Sequence, residues 1–458
     1  MKAVVSSTIR ISNATEELKQ WISDELIISN PEYSKKQRMG FRTYKTPKKL
    51  YLYEQDGTDY ILPYGCLETL IRQFGVKVEY DRPLNGKVAY ESKVPLWDYQ
   101  IPAKVFMTIN KRGILQAPAG SGKTQIGIAI AIALARRCLW ITHTKDLLNQ
   151  SKERAEKYIS PDLIGTITEG KVEIGKGMTF ATVQTLYRLD LTRYKDTWDT
   201  IIVDECHRVA GTPSQLTMFS KVLNSLDARY KYGLSATVHR ADGLIKATYS
   251  LLGRVVYEIP KEDVKDKVMP VGVKCVETHT PVSLQCLNTD GTLNYTSLIN
   301  YLAEDSVRND LILQYILPEV RAGHSVLVLS ARLSQLRWFL TELGDAAVMI
   351  DGKMTTKVGK EQRRQAIEDM RTGKKKVLLA SYNLAKEGLD IPKLDRLFMA
   401  TPQQDKAIII QSLGRVARIA DGKYSAVAYD FVDELIPHCR TEHRKRRAIY
   451  KREGCYDF

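Results

Sequence analysis

The segment Ala117–Thr124, APAGSGKT, lies between two apolar runs, RGILQ before it and QIGIAIAIALA after it. Closely spaced glycines let backbone N–H groups turn inward, the lysine supplies a point charge, and the threonine hydroxyl can ligate a divalent cation. That is a cradle for a polyphosphate at the start of a helix, whose positive end favours anions. Gly120, Ser121 and Gly122 would wrap the phosphates, Lys123 would reach the β and γ groups of ATP, and Thr124 would hold Mg²⁺. Ala117 stands where the strict pattern has glycine, which affects only the first turn.

About 80 residues downstream, TIIVDECHR (Thr200–Arg208) puts two carboxylates at the end of an apolar, β-branched run. Asp204 would hold Mg²⁺, directly or through water, and Glu205 would orient and deprotonate an attacking water. An Asp-Glu pair ending a strand is common; its distance from the phosphate loop gives it the chemical reading. His207 alone reads as structural and Cys206 as packing. Further on, QSLGRVARIADG (Gln411–Gly422) sets Arg415 and Arg418 three apart, which on its own describes a solvated helix face.

These groups need a scaffold. At 458 residues the chain suggests about three domains, and 44% hydrophobic content is enough for cores. Residues 1–88 read as a small mixed α+β domain. In it KAVVSSTIRIS alternates like a strand, ATEELKQWISDEL has helical spacing, and KKLYLYEQDGTDYILPYG reads as a hairpin turning at Asp56-Gly57. Over 89–260, strands alternate with helices (RGILQ, CLWITHT, GMTFATV, TIIVDE, YKYGLSAT), which implies a mainly parallel sheet covered on both faces. Residues 261–304 form a connection and the possible start of the next domain. A second strand–helix cycle fills 305–458. The fold class expected is α/β.

The formal charge is +15 and the pI about 9.3, a balance that favours a polyanionic partner, nucleic acid first and an acidic membrane surface second. Tyr33–Tyr53 carries seven Lys/Arg, among them Lys35, Lys36, Arg38 and Arg42, and no acid, interleaved with Phe41, Tyr44, Tyr51 and Tyr53. It reads equally as a solvated loop or as a nucleic-acid surface. Arg440–Glu453, with Arg444 and Arg446, has seven basic and two acidic residues and offers a duplex-backbone contact or a solvated terminal helix. No signal peptide is legible, and the longest apolar run, Ile126–Ala135, falls short of the ~20 residues a membrane span needs. Seven cysteines form no CxxC pair, which argues against structural zinc and disulfides. A soluble, cytoplasmic protein is expected.

In order, GSGKT, DECH, SAT (Ser235–Thr237) and QSLGRVAR resemble the motif set of superfamily 2 helicases and translocases, over about Leu96 to Lys423. The resemblance implies two RecA-like ATPase domains in tandem behind the small N-terminal domain. LWDYQ (Leu96–Gln100) is similar to the motif whose glutamine, here Gln100, reads the adenine edge; Trp97 stands where the family often has arginine. ITHTKDLLNQ and FATVQTL are similar to the loops that grip a nucleic-acid backbone, which points to Thr142 and Thr182. SYNLAKEGLDIP (Ser381–Pro392) is similar to a motif near ATP and DNA, which points to Gly388 and Asp390. Ser235 and Thr237 would couple the two states. Arg415 and Arg418, one helical turn apart, would be arginine fingers supplied in cis, with Gln411 bonding the phosphate or the water.

Within the superfamily, DECH, VHRADG after SAT, and the basic N-terminal domain look like phage UvsW-type repair helicases. That implies DNA as partner, forked or branched substrates, and 3′→5′ movement, with the monomer as the working form. An RNA helicase, the motor of a restriction system, and an ATP-switched DNA clamp are the alternatives. A nuclease signature is limited to Glu91-Ser92-Lys93 behind Asp81, a spacing expected by chance.

Overall fold

Eight strands form the sheet that carries the phosphate loop, in a computed structural model that describes every residue except 92, 119, 239–243, 353, 355, 387, 388 and 390. Their order is Lys171–Glu173, Ile164–Thr168, Met178–Thr182, Cys138–Thr142, Thr200–Asp204, Tyr230–Ser235, Arg112–Gln116 and Val255–Glu258. All pairings are parallel except that of Lys171–Glu173. Cys138–Thr142 and Thr200–Asp204 are buried at every residue, so their apolar runs are continuous, as helices on both faces require. The helix Lys123–Leu134 lies close on this sheet because of Gly127. A Cβ there would stand 2.7 Å from Trp140 Cη2 and from Leu234 Cδ1.

The N-terminal segment forms its own five-stranded sheet. KAVVSSTIRIS, expected as one alternating strand, is two: Lys2–Val5 and Thr8–Ile11 pair antiparallel around Ser6-Ser7. The expected hairpin turns at Gly57, whose φ of +58° suits glycine, between Glu54–Asp56 and Asp59–Pro63. This sheet is docked on the amino ends of the parallel strands. Tyr64 donates to Arg229 O at 2.6 Å, and Arg112 pairs with Glu68 at 2.9 Å. Lys231, fully buried, donates to Ser7 O at 3.1 Å and Leu223 O at 2.7 Å and lies over the Tyr64 ring. Buried Asp199 accepts from Arg82 at 3.0 Å and from Asn85 N–H, tying down the segment that leaves the N-terminal sheet.

A second compact unit begins at Val264. Its seven strands, all parallel, run Ala347–Ile350, Val377–Ser381, Val326–Ser330, Arg396–Met399, Ala426–Val432, Val271–Glu277 and Tyr456–Asp457. The stretch 261–304 therefore supplies a strand of this sheet, Val271–Glu277, in register with Ala426–Val432 over its whole length. Buried ion pairs in the unit include Arg308–Asp433 at 2.6 Å and Arg446–Asp430 at 2.9 Å. Each needs both partners, since one alone would leave an uncompensated buried charge. Among the described residues, no helix is long and apolar enough to cross a membrane.

Candidate nucleotide site and nucleic-acid contacts

The phosphate loop has the conformation its glycines suggest. Gly120 and Gly122 take φ of +83° and +75°, a region other residues reach at a cost. Lys123, first residue of its helix, points its Nζ back at the loop, donating to Ala117 O at 3.3 Å and Pro118 O at 3.4 Å. Its charge is thus held over the cradle. Ser121 is buried, and Thr124 follows in the first helical turn. Gln100 is buried beneath the loop: its Oε1 accepts from Trp97 N–H at 3.0 Å. Its Nε2 lies 2.5 Å from where a Cβ on Gly122 would stand, so Gly122 is constrained by φ and by space together.

Asp204 ends its strand buried, and burial raises its carboxyl to about 7, helped by the charge of Glu205. Lys123, the Glu205 N–H at 3.0 Å and the Ser151 hydroxyl at 3.3 Å act the other way. A carboxylate so burdened, with a hydroxyl-bearing Thr124 as the second oxygen donor, fits a small hard cation such as Mg²⁺. When bound, Mg²⁺ would neutralise charge on the β and γ oxygens. Glu205 adopts φ +49° and ψ +50°, a left-handed conformation that costs a non-glycine residue of order 1 kcal/mol. Cys206 packs as expected: a Cβ on Gly233 would meet its Sγ at 2.7 Å.

His207 does more than its sequence suggested. Its Nδ1 lies 3.0 Å from Ser235 Oγ and 3.2 Å from Glu205 Oε2. Ser235 in turn donates to Thr237 O at 2.8 Å and accepts from Thr237 N–H at 3.2 Å. The imidazole therefore links the candidate base to the Ser-Ala-Thr turn, a contact between adjacent strand ends that no single motif spells out. Two more residues escaped the sequence reading. Ser151 reaches Asp204 from a neighbouring helix. His143 is buried and held neutral, its pKa lowered to about 4 by burial and by Arg208 and His207. Neither of its ring nitrogens meets a hydrogen-bond partner among the described residues.

Of the expected nucleic-acid contacts, two are corrected. Thr142 is fully buried and donates to Thr144 O at 2.9 Å, so its side chain has no surface to offer a strand. Arg446 is buried too, with its Nε on Asp430 and Tyr450 on the same oxygen; local sequence charge did not reveal that partner one strand away. Arg444, on the same helix Pro437–Arg452, is exposed. Thr182 caps the helix Val183–Arg188, accepting from Thr185 N–H at 3.3 Å. Lys35, Arg38 and Arg42 are exposed, while Lys36 is half-buried against Glu32 and Thr46.

In the second unit, Arg415 is half-buried and donates to Leu389 O at 3.0 Å. The expected helical spacing of the two arginines is corrected. Their helix is Lys406–Val416, and Arg418 lies beyond its end, bridged to Val268. Gln411 Oε1 is buried with no hydrogen-bond partner among the described residues, an acceptor available to a polar ligand. Gly388 and Asp390 lie outside the described residues.

Residues 90–240 match the family model described as "Type III restriction enzyme, res subunit", and residues 308–420 match "Helicase conserved C-terminal domain". A chain of Acanthamoeba polyphaga mimivirus, named as an ATP-dependent RNA helicase, is 26% identical over 74% of this chain and 64% of its own length. This chain thus spans a little under two thirds of that relative. The DNA 3′-5′ translocase XPB2 of Sulfurisphaera tokodaii is 25% identical over 78% of this chain and 85% of its own. Among solved structures, a fragment named as the HsdR subunit of a type I restriction enzyme from Vibrio vulnificus covers 79% of this chain and 68% of its own, with TM-score 0.54 and 17% identity. That likeness concerns the fold: two parallel-sheet, RecA-like domains in tandem. With the ordered motifs, both family models and the relatives in agreement, the chain belongs to the superfamily 2 helicases and translocases, enzymes that hydrolyse ATP.

Proposed function

We propose that the chain is an ATP-driven motor on DNA that unwinds or branch-migrates forked and branched molecules in recombination, repair or replication, as a monomer moving 3′→5′. The observation that carries the motor is the chain of contacts from the catalytic carboxylate outwards: Glu205 to His207 to Ser235, beside Lys123 on its loop. Lys123 binds the β and γ phosphates, Asp204 holds the cation, and Glu205 orients water and takes its proton. Arg415 and Arg418 bring positive charge to the γ-phosphate, with Gln411 as hydrogen-bond partner. Gln100 reads the adenine. Ser235 and Thr237 pass the state of the site to the strand-binding loops, where Thr182 contacts the backbone. DNA is supported by the net charge of +15 and by the archaeal translocase relative. The branched substrate and polarity rest on the UvsW-type motif resemblance, with Lys35, Lys36, Arg38, Arg42 and Arg444 as phosphate contacts. The mimivirus relative favours one rival, an RNA motor.

The test is steady-state ATP hydrolysis with no nucleic acid, single-stranded DNA, duplex, a four-way junction and matched RNA, at one salt concentration because phosphate binding is strongly salt-dependent. Stimulation by DNA, greatest with the junction, is expected. Stimulation by RNA alone would transfer the motor to RNA, and stimulation by none would remove the nucleic-acid half of the reading.

A further inference from the structure

The loop 39–48 that follows the helix Pro31–Arg38 is pinned at both ends. Buried Asn30 caps the helix through Glu32 N–H at 3.0 Å, while its amide donates to Pro47 O at 2.8 Å and its own N–H to Lys48 O at 3.0 Å. Lys36 Nζ donates to buried Thr46 at 2.8 Å. From this frame the large apolar side chains point outwards: Met39, Phe41 and Tyr44 are 56%, 59% and 77% exposed, and Tyr51 in the adjoining strand is 63% exposed. Exposed beside them are Lys35, Arg38, Arg42, Lys45, Lys48 and Lys49, and no acid occurs between Tyr33 and Tyr53. Lys45 Nζ lies 5.5 Å from the Tyr44 ring centroid.

The loop is also firmly carried. Ile28 and Leu50 of the two-stranded ladder Ile27–Ser29 and Lys49–Tyr51 join the apolar cluster of the parallel-sheet domain. That cluster includes Val183 and Leu186, on the helix that Thr182 caps.

Solubility alone would call for the cations and leave the rings inside, since each exposed aromatic face is hydrated at a cost. A protein-docking patch would tolerate the rings but not this many cations among them, because interface cores are depleted of charge. Rings set among cations suit an unpaired nucleic-acid strand, with phosphates on the cations and base faces on the rings. A closed duplex keeps its base faces in the stack and can use only the cations. We propose that loop 39–48 binds the unpaired strand of the DNA substrate by stacking bases on Phe41 and Tyr44. This rests on the DNA reading above and narrows it.

The test is binding of the full chain to a labelled single strand, a blunt duplex and a fork, by anisotropy across a salt titration. Phe41→Ala with Tyr44→Ala should weaken single-strand and fork binding roughly thirtyfold or more and leave the salt slope and the duplex unchanged. Arg38→Ala with Arg42→Ala should flatten the salt slope by about one per cation, on strand and duplex alike. Tyr44→Trp should keep the affinity. Unchanged single-strand binding in the aromatic double variant would overturn the proposal, as would equal losses on strand and duplex, or a change of oligomeric state in light scattering. Failure of the unaltered chain to bind or respond to any DNA would instead remove the underlying DNA reading.

Discussion

The hydroxyl of Ser151 donates a 3.3 Å hydrogen bond to Asp204 Oδ2, with both side chains buried. Ser151 belongs to the helix Lys145–Ala155, whose first turn is capped by Thr144. One helix therefore reaches Asp204 and begins at Thr144, whose carbonyl also holds the buried Thr142 hydroxyl. Ser151→Ala is expected to raise the Mg²⁺ needed for half-maximal binding of a fluorescent ADP by roughly tenfold, the usual scale for losing a partner that orients a metal ligand. Ser151→Thr should restore it. An unchanged Mg²⁺ requirement in the alanine variant would reduce the contact to packing.

Lys123→Ala and Arg415→Ala should each lower stimulated ATP hydrolysis by about 10³-fold or more while leaving nucleic-acid binding within about twofold. The two are chosen from different ends of the chain. Normal turnover by Arg415→Ala would take that residue out of the hydrolytic site and leave it a structural role, its bond to Leu389 O included.

A methyl group on Gly65 would stand 2.4 Å from Tyr249 O, 2.5 Å from Gly253 N and 2.6 Å from Ser250 O. All three are backbone atoms and cannot swing aside. Gly65→Ala should therefore cost about 1–3 kcal/mol in urea unfolding, the range for overpacking. Gly86→Ala, where nothing lies within 4 Å, is the control and should be nearly neutral.

Burial lowers the pKa of Lys231 from 10.5 to about 7, against the opposing charge of Asp227. Below pH 7 both folded and unfolded chains hold the proton and the burial penalty is fully present. From pH 7 towards 10.5 the unfolded chain holds more protons, so this group's contribution to stability rises with pH. The unfolding free energy of the wild type minus that of Lys231→Met should increase between pH 7 and pH 9. A flat or falling difference would mean that the ammonium stays charged in the fold.

The apolar runs and the phosphate loop were legible because they are local: a strand buried on both faces must be apolar throughout, and the glycines of APAGSGKT needed left-handed φ at Gly120 and Gly122. What could not be read depends on neighbours across the sheet. Lys231 counts as a surface residue in any composition, yet it is held by carbonyls 8 and 224 positions away. Arg446 adds to a local basic excess in the sequence, while in the fold Asp430 lies against it at 2.9 Å. His207 seemed ordinary because its second partner, Ser235, is 28 residues on but only one strand across. The strand Val271–Glu277, interrupted by Lys274, needed its partner Ala426–Val432 to be placed.

Parallel strands give the first domain a direction. Lys231, Arg112 and Asp199 face the N-terminal sheet at the strands' amino ends, and Asp204, Ser235 and the phosphate loop lie at the carboxyl ends. Four residues of extended chain, from Lys231 to Ser235, put roughly 13 Å between the two ends, so no residue that holds the N-terminal sheet also lines the phosphate loop. Lineages could therefore exchange the N-terminal module without touching a residue of the hydrolytic end: an engine with a coupling flange, each free to change on its own clock.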